Sequence, residues 1–236
     1  MTARGSAGGA VALVTGAASG IGAAVASRLA DAGWRVAGLD LRESETDLSL
    51  AADVTDAAAV RAAAERAERE LGPVSLLVTV AGYYEMVPVS EIGIEAWRRM
   101  LTVHLGGTRN ACAAVLGSMI GRGSGRIITI SSELALAGGE DDAHYAAAKG
   151  AIIGFTKSLA AEVADRGVLV NSVAPGPTDT PLLAPDSPWR EPAYLETLPL
   201  RRLVLPEEIA ETVLFLAEEG DYFCGQVLSP NAGAVI

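Results

Sequence analysis

A short apolar run at residues 11–15 passes directly into Gly16-Ala-Ala-Ser-Gly20-Ile-Gly22, and Ile21, Val25 and Leu29 then recur four apart on an alanine-rich background. The run suits a strand, and the spacing of four marks one face of a helix. The glycines between them therefore form a tight strand-to-helix turn, with Gly33 as the helix stop. The unit recurs along the chain. Strands are predicted at 35–39, 48–52, 75–80, 125–131, 169–174 and 226–229, and helices at 56–71, about 94–120, about 144–165 and 206–218. Such alternation predicts an α/β fold, a doubly wound, mostly parallel seven-stranded sheet of the Rossmann-like kind.

Asp56 is placed to cap the helix that Gly72-Pro73 ends. Only residues 41–47 separate the second and third strands, too few for a crossover helix, so a truncated loop is expected there. Residues 175–205 carry seven prolines and weak periodicity. They read as a lid-like loop over the strand ends. No linker-like stretch divides the 236 residues, so a flexible 1–9 followed by a single domain over 10–236 is expected.

The formal net charge is -11, which disfavours nucleic acid and anionic membrane surfaces as partners. Two cysteines, Cys112 and Cys224, offer neither a disulfide framework nor a metal cluster and suit a reducing compartment. The first nine residues lack the apolar core of a leader, and the run at 11–15 is too short to span a bilayer. A cytoplasmic protein without a metal is the expectation.

A dinucleotide's pyrophosphate needs backbone N–H groups aimed at it and a close approach that side chains would block. Glycines spaced Gly16-x3-Gly20-x-Gly22 at a helix start supply both, although small residues also serve tight helix-sheet packing. Asp40 ends the second strand 18 residues after Gly22. A carboxylate there can accept bonds from ribose hydroxyls and would repel a 2'-phosphate, and Ser19 puts no cation in the turn, so NAD is favoured over NADP. Arg42 reads as a solvated loop charge. Asp53, ending the third strand, has two readings: a partner for the adenine amino group, or a capping or loop carboxylate.

Further on, Ser132-x12-Tyr145-x3-Lys149 offers a hydroxyl, a phenol and an ammonium. Tyr145 and Lys149 share a helix face at i, i+4, and a cation near a phenol favours the phenolate. With an oxidised nicotinamide in the same site, a lowering of two or three units, each about 1.4 kcal/mol, brings tyrosine toward use as a base. Ser132 ends a strand and can hold a substrate oxygen; the alternatives are an exposed Tyr–Lys pair and a serine that caps a turn.

These motifs in this order resemble the short-chain dehydrogenase/reductase family from Val11 to Gly233. The matching segments are TGAASGIG at 15–22, Asp53-Val54, Ala81-Gly82, Ser132, YAAAK at 145–149 and Pro175-Gly176-Pro-Thr178-Asp-Thr180. The resemblance implies Tyr145 as acid/base, Ser132 holding the substrate oxygen, and Lys149 lowering the tyrosine pKa and bonding the nicotinamide ribose. It implies an NAD site made by Gly16, Ser19, Gly20, Ile21, Gly22, Asp40, Leu41, Asp53, Val54, Ala81 and Gly82, with Pro175, Gly176, Thr178 and Thr180 at the carboxamide. It also implies a homotetramer or homodimer acting on a small alcohol or ketone.

Two positions depart from the family pattern. Thr79-Val80 stands where Asn-Asn is typical, removing amides that tie neighbouring strands. His104 stands where the fourth catalytic member is usually Asn, and can keep that residue's main-chain carbonyl role in a distorted helix, relay a proton near neutrality, or be a helix histidine without chemistry. His144 reads as a surface or substrate-loop residue. Tyr83, Tyr84, Met86, Leu134, Leu136, Leu182, Leu183 and Trp189 are candidates for an apolar pocket, with Glu140, Asp141 and Asp142 on an acidic rim. The alternatives to an alcohol dehydrogenase are an NADPH-type 3-oxoacyl thioester reductase and a catalytically weak nucleotide-sensing relative.

Overall fold

The computed structural model describes residues 9–236, so all but the last of the nine residues expected to form a flexible N-terminus lie outside the described residues. Seven strands form one parallel sheet: β1 (Val11–Thr15), β2 (Arg35–Asp40), β3 (Leu48–Ala51), β4 (Val74–Thr79), β5 (Gly125–Ile130), β6 (Val168–Val173) and β7 (Val227–Leu228). Their order is β3-β2-β1-β4-β5-β6-β7. The chain winds outward one way from β1 and then the other from β4, leaving a crevice where the order reverses.

Alternate residues of each strand enter opposite layers. Leu13, Leu77 and Ile127 pack beneath α2 (Ala57–Leu71), α4 (Gly107–Arg122) and α6 (Ala143–Val163), while Val14, Val78 and Ile128 pack against α1 (Gly20–Asp31) and α8 (Pro206–Glu218). Because both faces are covered, the strands are continuously apolar rather than alternating. Each fully buried Leu or Ile among them contributes roughly 1.5–3 kcal/mol. At the start of α2, Asp56 accepts from the amides of Ala58 and Ala59 at 2.9 and 3.1 Å.

No helix lies between β2 and β3, as the short spacing requires. Two expectations are corrected. The helix expected over 94–120 is α3 (Ile94–Leu101), a π-helical turn at Thr102–Gly106, and then α4. The extra residue in that turn coincides with the Gly106-Gly107 pair and with the inward ring of His104; glycine's low helix propensity weakens the regular ladder there. The 175–205 segment is not wholly irregular. It holds a 3₁₀ turn at Pro188–Arg190, a short α7 (Pro192–Leu195) and a parallel bridge between Thr178 and Val204. The remaining short helix is α5 (Leu134–Ala137).

Candidate active site

A cavity of about 760 Å³ opens at the C-terminal ends of the strands. Its floor is the glycine turn. Gly16 and Gly20 adopt φ of 71° and 54°, and a Cβ on Gly22 would stand 1.9 Å from the Gly16 carbonyl oxygen. Side chains at these positions are excluded by backbone conformation or by space. Ser19 occupies the N-cap position of α1 without capping it. The first-turn amides of Gly20, Ile21 and Gly22 have no side-chain cap from Ser19 and lie on residues that line the cavity, an arrangement that suits an anion.

The next wall is acidic. Asp40 accepts from the Ala18 amide at 3.0 Å and from the Arg42 amide at 3.1 Å, which ties the end of β2 to the glycine turn. Leu41, Asp53 and Val54 continue this wall. Asp53 Oδ1 accepts from both the amide and the hydroxyl of Thr55 at 2.8 Å, so the loop-carboxylate reading holds for that oxygen while the residue still faces the cavity. Arg42 is exposed, as a solvated loop charge would be, and its guanidinium also donates to the Ser19 hydroxyl at 2.9 Å at the cavity's edge.

On the opposite wall Ser132, Tyr145 and Lys149 come together and are buried. Lys149 Nζ donates to the Ile130 carbonyl at 2.9 Å and lies 5.6 Å from the centroid of the Tyr145 ring, so the exposed Tyr–Lys pair is ruled out. The expected lowering of the tyrosine pKa does not arise from the protein's own groups. Burial, and then the nearby Glu133 carboxylate, raise Tyr145 above its ordinary value, with the Ser132 hydroxyl opposing. Burial brings Lys149 down to about 8. Desolvation disfavours both charged forms, and the Lys149 ammonium gives one of its three donors to the Ile130 carbonyl.

His104 is buried in the π turn. Its Nε2 donates to the Tyr83 carbonyl at 2.8 Å, and Nδ1 is buried without a partner among the described residues. Burial, then the charge of Lys149, lower it to about 3. This corrects the reading of a proton relay near neutrality, because the ring stays uncharged across the physiological range. The distorted helix expected for its main-chain role is present. The Thr79-Val80 departure is compensated: the Thr15 hydroxyl accepts from the amides of Val80 and Ala81 at 3.0 and 3.2 Å, tying β1 to the end of β4.

Ala81, Gly82, Pro175, Gly176, Thr178 and Thr180 close the cavity, together with Tyr83, Tyr84, Leu134, Leu182, Leu183 and Trp189. Met86 and Leu136 lie outside it and are exposed, a correction to the pocket expectation. His144 is buried rather than on the surface, and neither ring nitrogen has a partner among the described residues. Asp142 is likewise no rim residue: it is fully buried, and burial raises its pKa. Both flank the start of α6, where the turn folds inward; sequence spacing carries no signal of that inward turn.

Glu133 was missed by spacing arguments. It is 6 % exposed, lines the cavity beside Ser132, and burial pushes its pKa up to about 7. A charged residue directly after Ser132 in an apolar segment was the available signal. Among the described residues no helix is long and apolar enough to cross a membrane, and no group of three His, Cys, Asp or Glu is placed to hold a metal ion.

A family model described as short chain dehydrogenase matches residues 10–191. The chain is 38% identical to the cis-4-hydroxycyclohexanecarboxylate dehydrogenase of Sinomonas cyclohexanicum, covering 94% of this chain and 95% of that protein. It is 37% identical to the 3-oxoacyl-acyl-carrier-protein reductase of Escherichia coli (strain K12), covering 95% and 97%. The ligand-free aldohexose dehydrogenase of Thermoplasma acidophilum superposes with a TM-score of 0.88 at 31% identity, covering 95% of this chain and 93% of that one.

Proposed function

This chain belongs to the short-chain dehydrogenase/reductase family of oxidoreductases, which use a nicotinamide nucleotide, and from that premise we propose that it interconverts a secondary alcohol and a ketone with NAD(H). The observation that carries the proposal is the shared cavity: uncapped amides at the start of α1 at one end, and Ser132, Tyr145 and Lys149 at the other. Gly16, Ser19, Gly20, Ile21 and Gly22 would hold the pyrophosphate, and Asp40 and Leu41 the adenosine ribose. Asp53 and Val54 would flank the adenine. Ala81, Gly82 and Lys149 would border the nicotinamide ribose, with Pro175, Gly176, Thr178 and Thr180 at the carboxamide end. The bound nucleotide supplies the hydride acceptor, or the donor in the reverse direction.

The side chains handle the proton. In reduction, Tyr145, kept neutral by burial, gives its phenolic proton to the oxygen that gains charge, while Ser132 donates a hydrogen bond to the same oxygen. In oxidation the proton returns from the alcohol to the phenolate oxygen, which Lys149 stabilises in its protonated form. The 175–205 segment acts as a lid, a role supported by the Trp189 indole donating to the Tyr84 hydroxyl at 3.0 Å across the cavity. The proposal includes a cytoplasmic homotetramer or homodimer, as the family resemblance implies.

The test is a turnover screen with NAD and NADP against alcohols graded by size and ring content, followed by Tyr145→Phe. Loss of turnover by roughly 10²- to 10⁴-fold is expected. A Tyr145→Phe enzyme with wild-type turnover on a confirmed substrate would remove the acid/base assignment. A second reading, NADPH-dependent reduction of a 3-oxoacyl thioester, is favoured by one observation, the Arg42 guanidinium against Ser19 at the adenosine end. Preference for NADPH together with thioester turnover would select it.

A further inference from the structure

Glu133 brings a carboxylate into the reacting end of the cavity, where Tyr84 and Tyr145 also stand. The Ser132 hydroxyl donates to Glu133 Oε2 at 3.0 Å and accepts from the Leu134 amide at 3.2 Å. A serine hydroxyl has one proton to give. While that proton is given to Glu133, Ser132 has none for a substrate oxygen. Turning Ser132 toward a substrate in turn removes the one side-chain donor from a buried carboxylate that keeps only the backbone amides of Glu133 and Leu134, with the acidic Asp142 nearby. Losing a donor is costly for such a group.

Resting on the alcohol-oxidoreductase reading above, we propose that Glu133 determines specificity by accepting a hydrogen bond from a second hydroxyl, on the carbon next to the reacting one. The preferred substrates are then vicinal diols and polyhydroxylated compounds. The second hydroxyl replaces the Ser132 proton at Glu133, and Ser132 is released to hold the reacting oxygen. Proximity fixes the vicinal arrangement, because the two acceptor and donor positions, Glu133 Oε2 and Ser132 Oγ, are themselves one hydrogen bond apart. A mono-alcohol offers no such exchange and leaves Glu133 with its backbone donors alone. A neighbouring ammonium would serve the same carboxylate by charge, and is the competing outcome.

The experiment compares 1,2-cyclohexanediol, cyclohexanol and 2-aminocyclohexanol, with linear counterparts, as substrates of the wild type, Glu133→Gln and Glu133→Leu. The wild-type kcat/KM for the diol is expected to exceed that for the mono-alcohol by roughly 10- to 100-fold. Glu133→Leu brings the ratio close to one, and Glu133→Gln, whose amide oxygen still accepts, keeps part of it. An unchanged ratio in Glu133→Leu, or a wild-type preference for the amino alcohol, overturns the proposal. Diol binding to the NADH-bound protein is measured in parallel by calorimetry. Glu133-dependent diol binding without turnover would sink the alcohol-oxidoreductase reading while supporting the contact. Turnover with binding indifferent to Glu133 would sink the contact alone.

Discussion

The imidazole of His104 occupies the space that a side chain on Gly82 would need: a Cβ there would fall 2.3 Å from Cε1 and 2.7 Å from Nδ1. The ring is held in that place by its bond to the Tyr83 carbonyl, one residue along the same loop. Gly82 and His104 are thus a matched pair, joining the end of β4 to the π turn. Gly82→Ala should destabilise the protein by about 2 kcal/mol or more, since the buried ring has little room to retreat. In the background of His104→Asn, whose shorter side chain leaves that space, the cost should fall by at least about 1 kcal/mol. Urea unfolding of the four proteins of the cycle measures the coupling, and equal costs in both backgrounds would show that the ring is not what excludes the methyl group.

Glu133 gives stability a pH dependence of definite sign. Its pKa is about 7 in the folded chain against an ordinary value of 4.5, because burial disfavours the carboxylate. The folded state therefore binds the extra proton between these values, and the contribution of Glu133 to stability falls as pH rises through that window. Below about 4.5 the penalty is absent, and above about 7 it is fully present, amounting to about 3 kcal/mol. Glu133→Gln carries no such ionisation. Its stability relative to wild type should rise from pH 4.5 to 7 and level off above, and a difference that stays flat in denaturant titrations across that range contradicts the buried carboxylate.

On the proposed cofactor placement, Asp40 and Arg42 would pull nucleotide choice in opposite directions, with the Arg42 guanidinium already bonded to the Ser19 hydroxyl. Asp40→Ser removes the repulsion of a 2'-phosphate while leaving Arg42 in place. The ratio of NADPH to NADH affinity should rise by about tenfold or more, the size expected for one close charge at an incompletely screened site. Arg42→Ala should move the ratio the other way. Fluorescence titration with both nucleotides reads these shifts, and a ratio indifferent to Asp40 would remove it as the discriminator.

Much of this was legible from local sequence. The seven strands were readable because parallel strands buried on both faces form continuous apolar runs, and the glycine turn because left-handed backbone and close approach leave few residues able to stand there. Tyr145 and Lys149 were readable from spacing, since i, i+4 on a helix fixes a common face, and Ser132 from its place at the end of a strand. The π turn at His104 was not, because one extra residue in a helical turn leaves no periodic trace over so short a stretch. Nor was the inward turn of Asp142 and His144, which polarity alone would place in water.

The sequence by itself determined the layered α/β fold, the glycine strand-to-helix turn and the shared helix face of Tyr145 and Lys149, all of which follow from neighbours within a few residues. Only the tertiary structure decided that Glu133 is buried against the cavity, that Arg42 reaches Ser19, that His104 fills the space over Gly82, and that Tyr145 and Lys149 are both driven toward their neutral forms. The reason is physical. Desolvation and hydrogen-bond partnership depend on which distant segments the fold packs around a group, and no local spacing encodes that environment.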